Sequence, residues 1–93
     1  MEFEWDNAKS DRCFVERGFD FVVVVPAFAD PARVIEEDLR YDYGESRFRL
    51  FGRVEGRLFV VTFTMRGDVH RIISARKANR KENRRYGARE TEG

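Results

Sequence analysis

The apolar and polar positions along the chain change rhythm between its two halves. Phe3-Glu4-Trp5 alternates like a short first strand or an extended start. Asp6 then stands where a helix N-cap is expected, and residues 9–17 continue as a helix with Ala8, Phe14 and Val15 offering an apolar side. Gly18 follows in the position where left-handed backbone closes a helix. Residues 19–28 support two readings. Four consecutive valines favour a buried strand. Asp20 as a cap, with Phe21, Val24, Val25 and Phe28 at helical spacing, favours a short second helix. Pro26 is awkward for either once the segment has begun.

Asp30-Pro31 makes a turn, residues 34–38 read as a weak strand, and residues 41–46 form a polar loop. A β-meander comes next. Residues 47–54 alternate charged and apolar side chains, Glu55-Gly56 supplies a two-residue hairpin turn, and residues 57–65 form a central strand. That strand carries Leu58 and Val60 on one face and Phe59, Val61, Phe63 and Met65 on the other, so both faces of the sheet are at least partly covered. Arg66-Gly67-Asp68 is the next tight connection and residues 69–75 the last strand. Asn79 with Glu82 three residues on is a capping box for a basic helix reaching about Tyr86, and the polar residues 87–93 are expected to fray. The sum is a single α+β domain over residues 1–93, with N-terminal helices packed on an antiparallel sheet that ends in a basic helix.

Charge sharpens this picture. Residues 66–93 hold nine Lys+Arg against four Asp+Glu, whereas residues 1–65 hold nine against thirteen. The formal net charge of +1 therefore hides a dipole, and a basic end on a small domain is the footprint of a phosphate-gripping surface. Fifteen of the eighteen basic residues are Arg, whose planar fork binds phosphate bidentately and stacks on bases. The one cysteine, Cys13, excludes an intramolecular disulfide and a multi-cysteine metal site, which suits a reducing cytoplasm. The acidic start lacks the pattern of a signal peptide, and the longest apolar stretch, residues 21–28, is far short of the ~20 residues that span a bilayer.

The chemistry left open is cationic and aromatic. One His, one Cys and scattered carboxylates give no paired ligand spacing, and there is no phosphate-cradling glycine loop. Ser74 inside Ile72-Ile73-Ser74-Ala75 reads as buried or hydrogen-bonded across the sheet rather than as a nucleophile. In a regular strand Arg71 shares a face with Ile73 and Ala75, while His70, Ile72, Ser74 and Arg76 share the other. Arg71 and Arg76 then project to opposite sides unless a bulge intervenes, and Arg66 at the hairpin can join either group. These arginines either stabilise the charge of an RNA phosphate during cleavage or pair with carboxylates of the first half. His70 is the one side chain with an unperturbed pKa suited to proton transfer near neutral pH, or else a surface histidine on a hairpin shoulder. Trp5 is a base-stacking platform or core packing, and Tyr86 docks the last helix or faces substrate. Arg80, Lys81, Asn83, Arg84 and Arg85 form a solvated helix face open to RNA or to an acidic partner. Glu45 beside Arg47 is an ion pair at the strand entry or a general base next to a cation. Two other readings use the same basic end: a non-catalytic nucleic-acid binder and a module that docks an acidic protein.

At these residues the chain resembles the BrnT family, the toxin half of a bacterial type II toxin–antitoxin pair. The likeness runs through Phe3-Glu4-Trp5-Asp6 and Lys9, Gly18, Phe21, Phe28 and Asp30, then Gly44-Glu45-Ser46-Arg47 and Gly52. It continues through Arg66-Gly67 and Arg71-Ile72-Ile73-Ser74-Ala75-Arg76-Lys77-Ala78 to Glu82 and Tyr86. The resemblance implies a RelE-like fold, metal-independent RNA cleavage, and a helix for the valine-rich segment. It also implies neutralisation by a ribbon-helix-helix antitoxin, in a 2:2 complex that binds operator DNA through the antitoxin. The chain departs from the family pattern at Cys13 and Glu16-Arg17, where Asn and Lys-His are common, and at Val22-Val23, where an acidic pair is usual. The residues expected to act in catalysis are Arg66, Arg71, Arg76 and Glu45; those expected to contact RNA are Trp5, Lys9, His70, Lys77, Arg80, Arg84 and Tyr86. No cofactor or metal is expected.

Overall fold

A computed structural model describes residues 1–87; the expected fraying of residues 88–93 lies outside the described residues. The chain runs β1 (Glu2–Trp5), α1 (Asn7–Arg17), α2 (Phe21–Val24), a 3₁₀ turn (Val25–Ala29), β2 (Val34–Glu37), β3 (Phe48–Val54), β4 (Arg57–Arg66) and β5 (Val69–Lys77). A short α3 (Arg80–Glu82) then passes into a π turn (Asn83–Gly87). The five strands form one sheet in the order β1-β5-β4-β3-β2. The meander of β2 to β5 is antiparallel as expected, but β1 lies parallel to β5, so the sheet is mixed. A parallel neighbour needs a long crossover, and everything between β1 and β5 provides it.

The N-terminal helices form where their ends are satisfied. Asp6 Oδ1 accepts from the Ala8 amide at 2.8 Å, and the Gly18 amide returns to the Phe14 carbonyl with Gly18 at φ 85°. The valine-rich segment takes its helical reading. Phe21, Val24, Ala27 and Phe28 turn inward while Val22 and Val23 stay exposed, because three- to four-residue spacing buries one side of a helix, whereas strand alternation would bury one of Val22 and Val23. Pro26 sits in the first turn of the 3₁₀ segment, where its missing N–H is not needed. Asp20 occupies the N-cap position of α2 but gives no capping hydrogen bond. The buried Ser10 of α1 does so instead, its Oγ accepting from the Phe21 amide at 3.0 Å.

Two cores result, one on each face of the sheet. Cys13, Phe19, Phe21, Val24, Ala27 and Phe28 pack against Leu50, Phe59, Val61, Phe63, Ile72 and Ala75 on the helix-covered face. Phe51, Leu58 and Val60 make a smaller cluster on the other face, with Val34, Ala78 and Tyr86 at its margin. Each fully buried Phe or Leu contributes about 1.5–3 kcal/mol, so the covered face dominates stability. Gly87, expected to begin the fraying end, is instead buried, with its carbonyl 3.4 Å from Arg53 Nη2.

The polar loop after β2 is tied down by Asp38. Its side chain is 1% exposed and accepts from Arg40 Nε at 2.8 Å, Arg40 Nη2 at 2.9 Å and the Tyr43 hydroxyl at 3.1 Å. The Arg40 guanidinium, ahead of its opposing burial, holds the Asp38 carboxyl well below the usual carboxylate range. Asp38→Asn is expected to lower stability at neutral pH by about 2 kcal/mol, the loss of charged hydrogen bonds from a buried acceptor. A depressed folded pKa stabilises above the unfolded value and fades as pH falls through the folded one, so the gap between the two proteins narrows below about pH 4. Urea titrations across that range check both parts; a gap independent of pH would deny Asp38 its charged role.

Candidate functional site

A bulge in β5 sets the site. Thr62 pairs with Ser74 but Phe63 pairs with Ile72, leaving Ile73 as one extra residue opposite the β4 ladder. Strand parity reverses there. Arg76 opposes Val60 and Arg71 opposes Thr64, both even-numbered positions of β4 that point away from the helices. The expected separation of Arg71 and Arg76 onto opposite faces is therefore corrected: the extra residue returns both to the open face. Arg66, opposite Val69, joins them. So do Arg49, opposite Thr62, and Phe51, opposite Val60.

The open face is an array of guanidinium–carboxylate pairs. Arg71 bonds Glu4 across the parallel β1–β5 register. Arg49 Nη2 lies 2.8 Å from Glu36 Oε1 across the β2–β3 register. Arg76 is gripped bidentately by Glu82, at 2.7 and 2.9 Å. Glu45 stands between Arg47 at 3.5 Å and Arg66 at 3.7 Å, and Arg47 also lies 4.1 Å over the Tyr43 ring. The sequence-based pairing of sheet arginines with first-half carboxylates is thus present for Arg66 and Arg71. It leaves their function open, because half-exposed pairs are worth only about 0–1 kcal/mol and a phosphate can exchange for the carboxylate.

The C-terminal turn closes one end of this face. The capping box forms, with Asn79 and Glu82 exchanging side chain-to-backbone bonds. Glu82 does double duty: its hydrogen bonds with Arg76 are the main cause that lowers the Glu82 pKa, and the same bonds with Glu82 raise that of Arg76. The expected longer helix is replaced by α3 and a π turn that folds Tyr86 back over the sheet. Tyr86 stacks on Phe51 at 4.2 Å between centroids, and its hydroxyl lies 3.4 Å from Glu36 Oε2. Burial, with the Glu36 charge beside it, raises the Tyr86 pKa.

The other candidate residues fall elsewhere. His70 opposes Met65 on the covered side, in a cage of Phe3, Phe28 and Phe63 at 5.3, 5.4 and 5.6 Å, with Nδ1 buried and without a hydrogen bond. Trp5 packs edge-on to Phe21 at 6.3 Å. Lys9 lies on α1 at a groove beside β5, and Lys77 ends β5 in the open. Arg80 and Arg84 are exposed on the C-terminal turn. Ser74, expected to be buried or bonded across the sheet, is exposed opposite Thr62. Sequence reasoning passed over Glu4, Glu36, Arg49 and Phe51. The alternation of residues 47–54 already put Arg47, Arg49 and Phe51 on one face, which is the signal that pointed to them. Among the described residues no group of three His, Cys, Asp or Glu comes together, and no helix is long and apolar enough to cross a membrane.

Helices on one side of a mixed sheet and an arginine-rich polar face on the other define a small α+β protein with its chemistry on the open sheet. Within that class the chain belongs to the BrnT family: the model for the ribonuclease toxin BrnT of type II toxin–antitoxin systems matches residues 5–82. Among curated proteins none matches the chain. The family makes it a ribonuclease toxin, with RNA as its target and an antitoxin as its partner.

Proposed function

We propose that the open sheet face is where this toxin cuts RNA, by attack of a 2′-hydroxyl on the adjacent 3′-phosphate without a metal ion, in the cytoplasm. The observation that carries the reading is the Ile73 bulge, which gathers Arg66, Arg71 and Arg76 on one side of the sheet. Arg66 and Arg71 occupy diagonal positions of the β4–β5 ladder, about 7–8 Å apart, within reach of one phosphate. Arg76 pairs four residues away along β4, about 13 Å, and suits a neighbouring phosphate. Glu45, held beside Arg66, takes the proton of the attacking hydroxyl. The oxygen then bonds to phosphorus, the guanidiniums neutralise the pentacoordinate phosphorane, and the P–O5′ bond breaks as the 5′-oxygen takes a proton from solvent, to which Glu45 returns its own. The products are a 2′,3′-cyclic phosphate and a 5′-hydroxyl. A ribbon-helix-helix antitoxin, joined with the toxin in a 2:2 complex, covers this surface in the neutral state, and the RelE-like architecture suits both tasks.

The products test the chemistry. Cleavage is expected to persist in EDTA, to leave cyclic phosphate ends, and to stop when the 2′-hydroxyl at the cut position is removed. EDTA-sensitive cleavage leaving 5′-phosphate ends would sink the mechanism. The enclosure of His70 among aromatic rings, which leaves the open face without a histidine, favours a second reading: RNA binding without cleavage. Salt-sensitive binding with fully intact RNA would select it.

A further inference from the structure

Arg49, Arg66, Arg71 and Arg76 of the open sheet face are committed to carboxylates, yet a different set of cations beside it is not. β1 pairs with β5 only as far as Ile72, so beyond the bulge the outer edge of β5 is bordered by α1 rather than by a strand. Between them lies a groove of about 180 Å³ lined by Lys9, Arg12, Glu16 and Arg17 on one side and residues 73–75 on the other. A second cavity of about 260 Å³ continues it, lined by Arg17, Phe19, Arg76 and Lys77. Arg17 is common to both, so the two make one track, and Arg76 joins that track to the open face.

The charge along the track is unbalanced. Lys9, Arg12 and Lys77 meet no carboxylate within ion-pair distance among the described residues, and Arg17 has only Glu16 on its own helix at 3.5 Å. Lys9 and Arg12 are spaced three apart on α1 and so project side by side over the groove. Cations kept unpaired beside a groove attract anions, and a row of them attracts a polyanion. Ile73, half-buried at the groove, gives the track an apolar wall.

We infer that single-stranded RNA does not end on the sheet face but crosses the β5 edge at Arg76 and continues along α1, where Lys9, Arg12 and Arg17 hold the phosphates flanking the cut. This rests on the sheet-face reading of cleavage and adds a substrate-length requirement to it: long single strands bind through both surfaces, very short ones through the sheet alone. Arg12 and Arg17 enter as RNA-contacting residues, and Lys9 and Lys77 gain a defined place.

The test uses the full chain and 2′-O-methyl RNA, which lacks the nucleophilic hydroxyl, as a mixed-sequence dodecamer and as a trinucleotide. Fluorescence anisotropy against salt is expected to give a steeper slope for the dodecamer. Lys9→Ala with Arg12→Ala, both exposed positions, should lower that slope by about 1.4, two contacts at about 0.7 each, and leave trinucleotide binding unchanged. Arg71→Ala should weaken both probes. Thermal melting checks that the double variant folds as the wild type does. A double variant that binds the dodecamer with wild-type affinity and slope overturns the track while leaving the sheet-face site standing. A wild type that binds neither probe overturns both. A double variant that loses antitoxin binding but keeps dodecamer binding assigns the groove to the protein partner and overturns the inference.

Discussion

Arg71→Ala is expected to slow RNA cleavage by about 10²- to 10³-fold, the loss that follows removal of one preorganised donor to transition-state charge. The position is favourable for that role. Arg71 is fixed on the open face by the bulge, lies beside the Arg66–Glu45 pair, and is oriented by Glu4 from the neighbouring strand. Glu4 is 39% exposed, so stranding its charge costs little and the fold should move by less than about 0.5 kcal/mol. Arg71→Lys keeps the charge but not the planar fork, and recovers only part of the rate. Glu4→Gln separates orientation from charge: it frees the guanidinium and should lower the rate less than Arg71→Ala does. Single-turnover cleavage with each purified protein reads these differences directly. Full-rate cleavage by Arg71→Ala would remove it from the reaction and return it to the structural role of pairing Glu4.

How far the sequence disclosed this site depends on the range of the interactions involved. Asp6, Gly18, Glu55-Gly56 and the Asn79–Glu82 box all act over four residues or fewer, and each lies where the local pattern put it. Residue pattern alone leaves the valine-rich segment open between strand and helix, because its propensity and its spacing disagree, while the family resemblance implies the helix. Packing decided for the spacing, since Phe21, Val24 and Phe28 fill one side of the covered core. The parallel β1–β5 pair was not legible, because nothing local to residues 2–5 specifies a partner 67 residues away in the Glu4–Arg71 register.

The bulge shows the same limit at the site itself. Ile72-Ile73 looks like any strand core, and only the register of Phe63 and Thr62 against it reveals the extra residue. Parity reasoning, applied without that residue, divides the arginines that the folded chain unites. The role of Glu82 was half visible. Its capping function follows from Asn79, whereas its bidentate hold on Arg76 depends on the turn that swings α3 back over the end of β5. His70 illustrates the reverse error: a residue chosen for its intrinsic pKa is placed by the fold among three aromatic rings, away from the cationic face.

Gly52→Val is expected to destabilise the fold by about 3 kcal/mol, at the upper end of overpacking effects. Gly52 lies in β3 opposite Phe59, on the face that the 3₁₀ turn covers. A Cβ there would meet the Ala27 carbonyl oxygen at 2.6 Å, its carbon at 3.2 Å and Leu50 Cδ2 at 2.9 Å. Two of those three atoms are backbone, so no rotamer change relieves the clash. The turn cannot slide away either. Asp30 at its end accepts from the Ala32 amide at 2.9 Å and from the Arg53 amide at 2.7 Å, pinning it to the residue next to Gly52. Ala27 and Phe28 are both buried beneath, and lifting them would expose the covered core. Gly52→Ala should therefore already be destabilised, by about 1–2 kcal/mol, with Val worse. Urea unfolding of the three proteins gives the order. The clash lies on the covered face, whereas the arginines lie on the open one, so under fully folded conditions Gly52→Ala should keep RNA affinity within twofold of the wild type, about 0.4 kcal/mol. Stability equal to the wild type in both variants would mean that the turn and β3 are not packed this closely, and a loss of affinity without a loss of stability would place the turn in the RNA site.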